Sequence, residues 1–118
     1  MRIKSKVLII AGSDSSGGAG IQADIKTVSA LGSYAMTALT AVTAQNTKGV
    51  KKITSIPVEN FQKQLTMVIE DIGVNAVKIG MLHNTSLIKC VYRILKKIQI
   101  KKCCFRPGNG SQRWYKIN

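Results

Sequence analysis

A chain of 118 residues, 45% hydrophobic and 19% charged, supports one modest core and no second domain of comparable size. Its mean hydropathy of +0.07 fits a soluble globular class, and its longest apolar runs, such as Val7 to Ala11, are too short to cross a bilayer or to form a secretory signal, so a cytoplasmic protein without membrane contact is expected. The net charge of +13 would point to nucleic acid, but residues 89–118 hold nine of the 18 Lys/Arg and none of the five acids, so the basicity belongs mainly to the tail and no specific nucleic-acid partner is expected.

Lys6-Val7-Leu8-Ile9-Ile10-Ala11 is a continuous apolar run, the pattern of a strand covered on both faces of a parallel sheet. A glycine-rich stretch to Gly20 follows it. Ile21, Ile25, Val28 and Leu31 then recur at helical spacing, and Gly32 stands where a helix C-terminal glycine belongs. Tyr34 to Val42 reads as a second strand and Ile53 to Ile56 as a short one. Pro57 precedes a helix with Phe61, Leu65, Val68, Ile69 and Ile72 on one face, ended by Gly73. Glu70 and Asp71, unfavourable near that helix's C-terminus, are expected in solvent. Asn75 to Ile79 is another strand, and Asn84 or Thr85 caps a helix carrying Leu87, Ile88, Val91, Tyr92 and Leu95. Strands alternating with helices imply an α/β fold with a mainly parallel sheet and right-handed crossovers.

From Cys103 the periodicity stops, so residues 1–102 form the domain and 103–118 an irregular, disordered tail. Cys90, Cys103 and Cys104 are an odd set without a C-x-x-C spacing, expected to be reduced and incidental. His83 is the single histidine, which leaves no material for a histidine-rich metal site, and it is expected to have no special role.

Ala11-Gly12-Ser13-Asp14-Ser15-Ser16-Gly17-Gly18-Ala19-Gly20 links a strand to a helix, so its amides are candidates to meet a polar or anionic ligand group. Two phosphate motifs fail on it. The Walker Lys-[ST] is replaced by Gly18-Ala19. Gly18-Ala19-Gly20-Ile21-Gln22-Ala23 matches G-x-G-x-x-A, yet no acid falls between Asp24 and Glu59 to hold a ribose.

Three blocks in order, A-G-S-D-S-S-G-G-A-G-I-Q-A-D-I-K-T from Ala11, T-A-Q-N-T-K-G-V from Thr43 and V-K-I-G-M-L from Val77, resemble the hydroxymethylpyrimidine/phosphomethylpyrimidine kinases of the ribokinase-like superfamily. The resemblance covers about residues 5–102. It implies a truncated, Rossmann-like three-layer fold and a small aminopyrimidine substrate, phosphorylated by ATP with Mg²⁺ on the route to thiamine diphosphate. In intact members it also implies a homodimer. By position it carries the pyrimidine pocket onto Gly12, Asp24, Gln45 and Met81. Gln45's amide suits ring nitrogens and an exocyclic amine, Asp24 is a further acceptor, Gly12 allows close approach and Met81 supplies a pliable wall.

The family's G-T-G-C anion-hole segment lies in a C-terminal half that this chain does not match. The resemblance therefore implies no catalytic residue here, no metal ligand and no productive ATP binding, and a chain inactive by itself. Residues 103–118, read one base later, permit Val-Val-Leu-Asp-Pro-Val-Met-Val-Ala-Lys-Gly-Gly, which is similar to the family's next strand and loop; a frameshifted tail is the corresponding expectation. The alternatives are a fragment of a pyridoxal-type vitamer kinase and a non-catalytic pyrimidine-binding protein.

Overall fold

A strand without polar alternation must be covered on both faces, and Val7 to Ala11 lie in β1 (Lys6–Asp14), with Leu8, Ile9 and Ile10 fully buried. The other elements follow as α1 (Gly20–Ala30), β2 (Tyr34–Asn46), β3 (Gly49–Ser55), α2 (Val58–Asp71), β4 (Ala76–Ile79), α3 (Thr85–Lys97), β5 (Lys102–Phe105) and β6 (Arg113–Tyr115). This computed structural model describes residues 2–98, 100 and 102–105, together with the backbone of 113–115.

The six strands make one sheet in the order β3-β2-β1-β4-β5-β6. Pairs β1–β2, β1–β4 and β4–β5 are parallel, whereas β3 and β6 run antiparallel to their neighbours, giving the mixed, mainly parallel α/β sheet that was expected. From β1 the chain crosses through α1 to β2 on one side, and from β4 through α3 to β5 on the other. Crossovers of one hand that move in opposite directions place their helices on opposite faces. The point of reversal lies between β1 and β4, where the strand ends open a crevice.

The two faces are built differently. Leu8, Ile10, Met36, Ala38, Val77 and Ile79 point to the side of α2 and α3 and pack with Phe61, Leu65, Leu87, Cys90 and Val91 into the main core. On the opposite side Ile9 stands in register with Lys78, and Lys78 with Cys104, under α1, none of whose residues is buried. The helix ends follow the sequence signals. Gly32 takes φ +82, its amide reaches Ser29 O and that of Ser33 reaches Val28 O, the paired bonds of a glycine C-terminus. Asn84 accepts the Leu87 amide at 3.0 Å and caps α3. Glu70 and Asp71 are exposed at the end of α2, whose terminal Ile72 carbonyl accepts Lys6 Nζ at 2.6 Å.

Two expectations are corrected. β2 does not stop at Val42 but continues to Asn46, because β3 pairs with it antiparallel as a hairpin; the strand expected at Ile53 to Ile56 is the end of β3, an exposed edge strand that begins earlier, at Gly49. The ordered structure does not end at residue 102. Cys103 and Cys104 lie buried in β5, alternating to the two faces of the sheet as small apolar residues beside β4. The rest of the expected tail, residues 106–112 and 116–118, lies outside the described residues.

Candidate functional site

The sheet's reversal point holds a crevice of about 710 Å³, within the range of small-molecule sites. Its wall takes residues from the C-terminal ends of four strands: Gly12 to Asp14 after the core of β1, Thr43 and Gln45 in β2, Gly80 to His83 after β4, and Phe105 in β5. Apolar Val50, Ile53 and Ile88 close the side. Right at the reversal, the β1–β2 register slips between Ala11 and Ser13, so Gly12 sits at a bulge.

Gly12 is fixed by its neighbour. A Cβ there would stand 2.7 Å from Met81 Cε, so the two residues expected from the sequence to share a pocket are in contact range, and a side chain at position 12 would displace the methionine. Thr40 Oγ1 donates to Met81 O at 2.8 Å and anchors the turn that carries it. Gln45, expected after the second strand, lies within β2. Its backbone is tied to the glycine-rich loop by Ser15, whose hydroxyl accepts from Gln45 N at 2.8 Å and donates to Gln45 O at 2.6 Å. Thr43 Oγ1 donates to Ser13 O at 2.5 Å and lies 3.2 Å from Gln45 Oε1, and both Thr43 and Gln45 line the crevice.

Asp24 does not line the crevice with the other three. It lies in the second turn of α1, and its Oδ2 meets Lys78 Nζ at 2.6 Å, both side chains about four-fifths covered. Lys78 is the group that faces the crevice, and sequence reasoning missed it. The signal was present: a charge inside the otherwise apolar strand Val77-Lys78-Ile79 requires a partner on the covering helix.

The glycine-rich loop is organised from within. Asp14 is buried and its carboxylate accepts from Ser16 N and Oγ, Gly18 N and Ala19 N, at 2.7–3.0 Å. The Ser16 hydroxyl first, and then these amides, hold its carboxyl below the usual carboxylate range against the opposing effect of burial. Three amides that could have met an anionic ligand are thereby occupied. Gln22 completes the loop, accepting from Asp14 N at 2.8 Å and donating to Ser13 Oγ at 2.7 Å. Gly20, with φ +58, lies so close to the Gly12 carbonyl that no Cβ fits.

His83 lines the rim with φ +77, a left-handed conformation that a non-glycine residue adopts at some cost. Cys90, Cys103 and Cys104 are free and buried, and burial raises their thiols above the ordinary value, so they are held as protonated, poorly nucleophilic groups. Among the described residues no three His, Cys, Asp or Glu side chains cluster as metal ligands, and no helix is long and apolar enough to cross a membrane.

The family model described as phosphomethylpyrimidine kinase matches residues 14–108. The hydroxymethylpyrimidine/phosphomethylpyrimidine kinase of Streptomyces coelicolor is 55% identical over 89 residues, 75% of this chain and 33% of its own length. Among solved structures, phosphomethylpyrimidine kinase from Clostridium difficile superposes with a TM-score of 0.86 at 47% identity, over 97% of this chain and 49% of that one. A pyridoxal kinase from Staphylococcus aureus, solved with AMP-PCP and pyridoxal, gives a TM-score of 0.78 at 38% identity, over 86% of this chain and 38% of that one. This chain spans about a third of the length of the curated relatives it matches. With its three sequence blocks meeting at one crevice on a mainly parallel sheet, the chain belongs to the phosphomethylpyrimidine kinase family.

Proposed function

We propose that the crevice binds 4-amino-5-hydroxymethyl-2-methylpyrimidine, and that the chain is the substrate-side part of a kinase that phosphorylates this compound and its monophosphate toward thiamine diphosphate. The observation that carries the reading is the convergence of Gly12, Gln45 and Met81 on a single crevice of suitable size. A flat heteroaromatic ring fits between the Met81 side chain and the apolar wall of Val50, Ile53 and Ile88, with Gln45 supplying directional hydrogen bonds at its edge.

ATP and Mg²⁺ belong to this proposal only through the intact relatives. The residues present do not make a triphosphate cradle: the loop amides that resemble one donate to Asp14, and no acidic cluster stands beside them among the described residues. No step of phosphoryl transfer is derived from this chain, which as a separate polypeptide is expected to bind without turnover. A frameshifted origin for residues 103–118 is part of the same proposal, checked by sequencing the coding DNA from the codon of Lys101 past Asn118 and looking for a continuing family-like frame.

The likeness to a pyridoxal kinase favours a second reading, a pocket for a pyridoxal-type ring. Calorimetric titration of the chain with each compound separates the two. Saturable binding of the aminopyrimidine, weakened about tenfold by Gln45→Ala through loss of a buried hydrogen bond, supports the first. Tighter binding of pyridoxal supports the second, and heat from neither compound removes both.

A further inference from the structure

A lysine in the middle of a core strand is costly, because its ammonium gives up water that a single ion pair only partly replaces. Lys78 occupies such a position. Ile9 and Cys104 flank it in register on the neighbouring strands, and both are buried. Two small residues keep its path open. An added Cβ at Gly80 would lie 3.0 Å from Ala11 Cβ and 3.1 Å from Lys78 Nζ, so the ammonium passes immediately beside the backbone that leads to Met81. The side chain thus runs under α1 and ends at the crevice floor, where Asp24 holds it from behind at 2.6 Å.

An ammonium has three donor hydrogens and no acceptor. Asp24 is the one side-chain partner of Nζ among the described residues, and Lys78 lines the crevice while two donors of its ammonium have no side-chain acceptor there. Asp24 itself is outside the lining.

We propose that Lys78, aimed by Asp24, is a ligand-contacting and specificity-determining residue of this crevice, selecting a hydrogen-bond acceptor (a ring nitrogen, hydroxyl or phosphate oxygen) at its floor. This rests on the aminopyrimidine reading above and reverses the polarity first expected there. Asp24 is a positioning residue that neutralises and directs the cation, and the ligand's amine is left to Gln45. A ligand presenting only a donor at that point meets a like-polarity ammonium and is rejected, which is how a small site with few polar groups discriminates strongly.

The test begins with the ammonium itself. In ¹⁵N-lysine-labelled protein, adding 4-amino-5-hydroxymethyl-2-methylpyrimidine is expected to shift the Lys78 Nζ resonance and leave the exposed lysines unmoved. The double variant Lys78→Met with Asp24→Leu removes both charges and leaves no orphan, so it is expected to keep the melting transition while losing about tenfold or more in affinity. Lys78→Arg, which keeps the cation, is expected to recover part of that loss. Saturable binding by the unsubstituted protein with an unmoved Lys78 resonance, or undiminished binding by a folded double variant, overturns this inference alone. If the double variant does not fold, the resonance decides. No binding by the unsubstituted protein overturns this inference and the proposed function together.

Discussion

The two faces of the sheet divide the work of the molecule. Under α2 and α3 the strands β1, β2, β4 and β5 each contribute apolar side chains to one continuous core, with Phe61, Leu65 and Leu87 fully or almost fully buried. Under α1 the cover is thin: the helix has no buried residue, and the space beneath it holds an ion pair beside small residues. The first face supplies stability through area removed from water. The second gives up some of that stability to carry polar groups toward the crevice, and substitutions on the two faces should differ accordingly.

Phe61→Ala, at the centre of the core, is expected to have the largest effect, about 3–5 kcal/mol by urea denaturation; a loss below about 1 kcal/mol would mean that the core face is not the main source of stability. Gly20→Ala comes next. Its φ of +58 and the Gly12 carbonyl against it should cost more than about 1 kcal/mol, and the displaced carbonyl should also weaken ligand binding, which Phe61→Ala in its folded fraction should not.

Asp14 gives a smaller, pH-dependent effect. Its carboxyl is held lower in the folded protein than in the unfolded chain, so its contribution is present in full above the ordinary carboxylate value and is lost as pH falls through the lowered one. Thermal melts taken downward from neutral pH should lose stability in that window, and Asp14→Asn should flatten that part of the profile. An identical acid limb in the variant would assign the loss to other carboxylates. Ile25→Ala, half-buried in α1, is expected to change stability least, by about 1 kcal/mol or less.

The core face was legible because its signals are periodic. Val7 to Ala11, Phe61 to Ile72 and Leu87 to Leu95 each repeat apolar residues at the spacing of their element, and Gly32, Gly73 and Asn84 mark helix ends by conformational and capping chemistry that acts within a few residues. Of the hairpin only Tyr34 to Val42 and Ile53 to Ser55 were legible, since its exposed turn-side residues have no apolar pattern, and β5 was not, since Cys103-Cys104 takes its burial from β4, a neighbour distant in sequence. The site divided in the same way. Gly12, Gln45 and Met81 were placed by three sequence blocks and meet at the crevice, whereas the exchange of Asp24 for Lys78 as the inward-facing group depends on which face of β4 lies under α1. Composition does not report that geometry.

The central claim is that the reversal point between β1 and β4 is the ligand site. Amide NMR of the ¹⁵N-labelled chain, titrated with 4-amino-5-hydroxymethyl-2-methylpyrimidine, tests it most directly. The account predicts saturable shifts concentrated at Gly12–Asp14, Thr43–Gln45 and Lys78–His83, with the solvent face of α3 unmoved. Shifts centred on that basic face around Lys89, Arg93 and Lys96, or no saturable shift at the crevice, would contradict it.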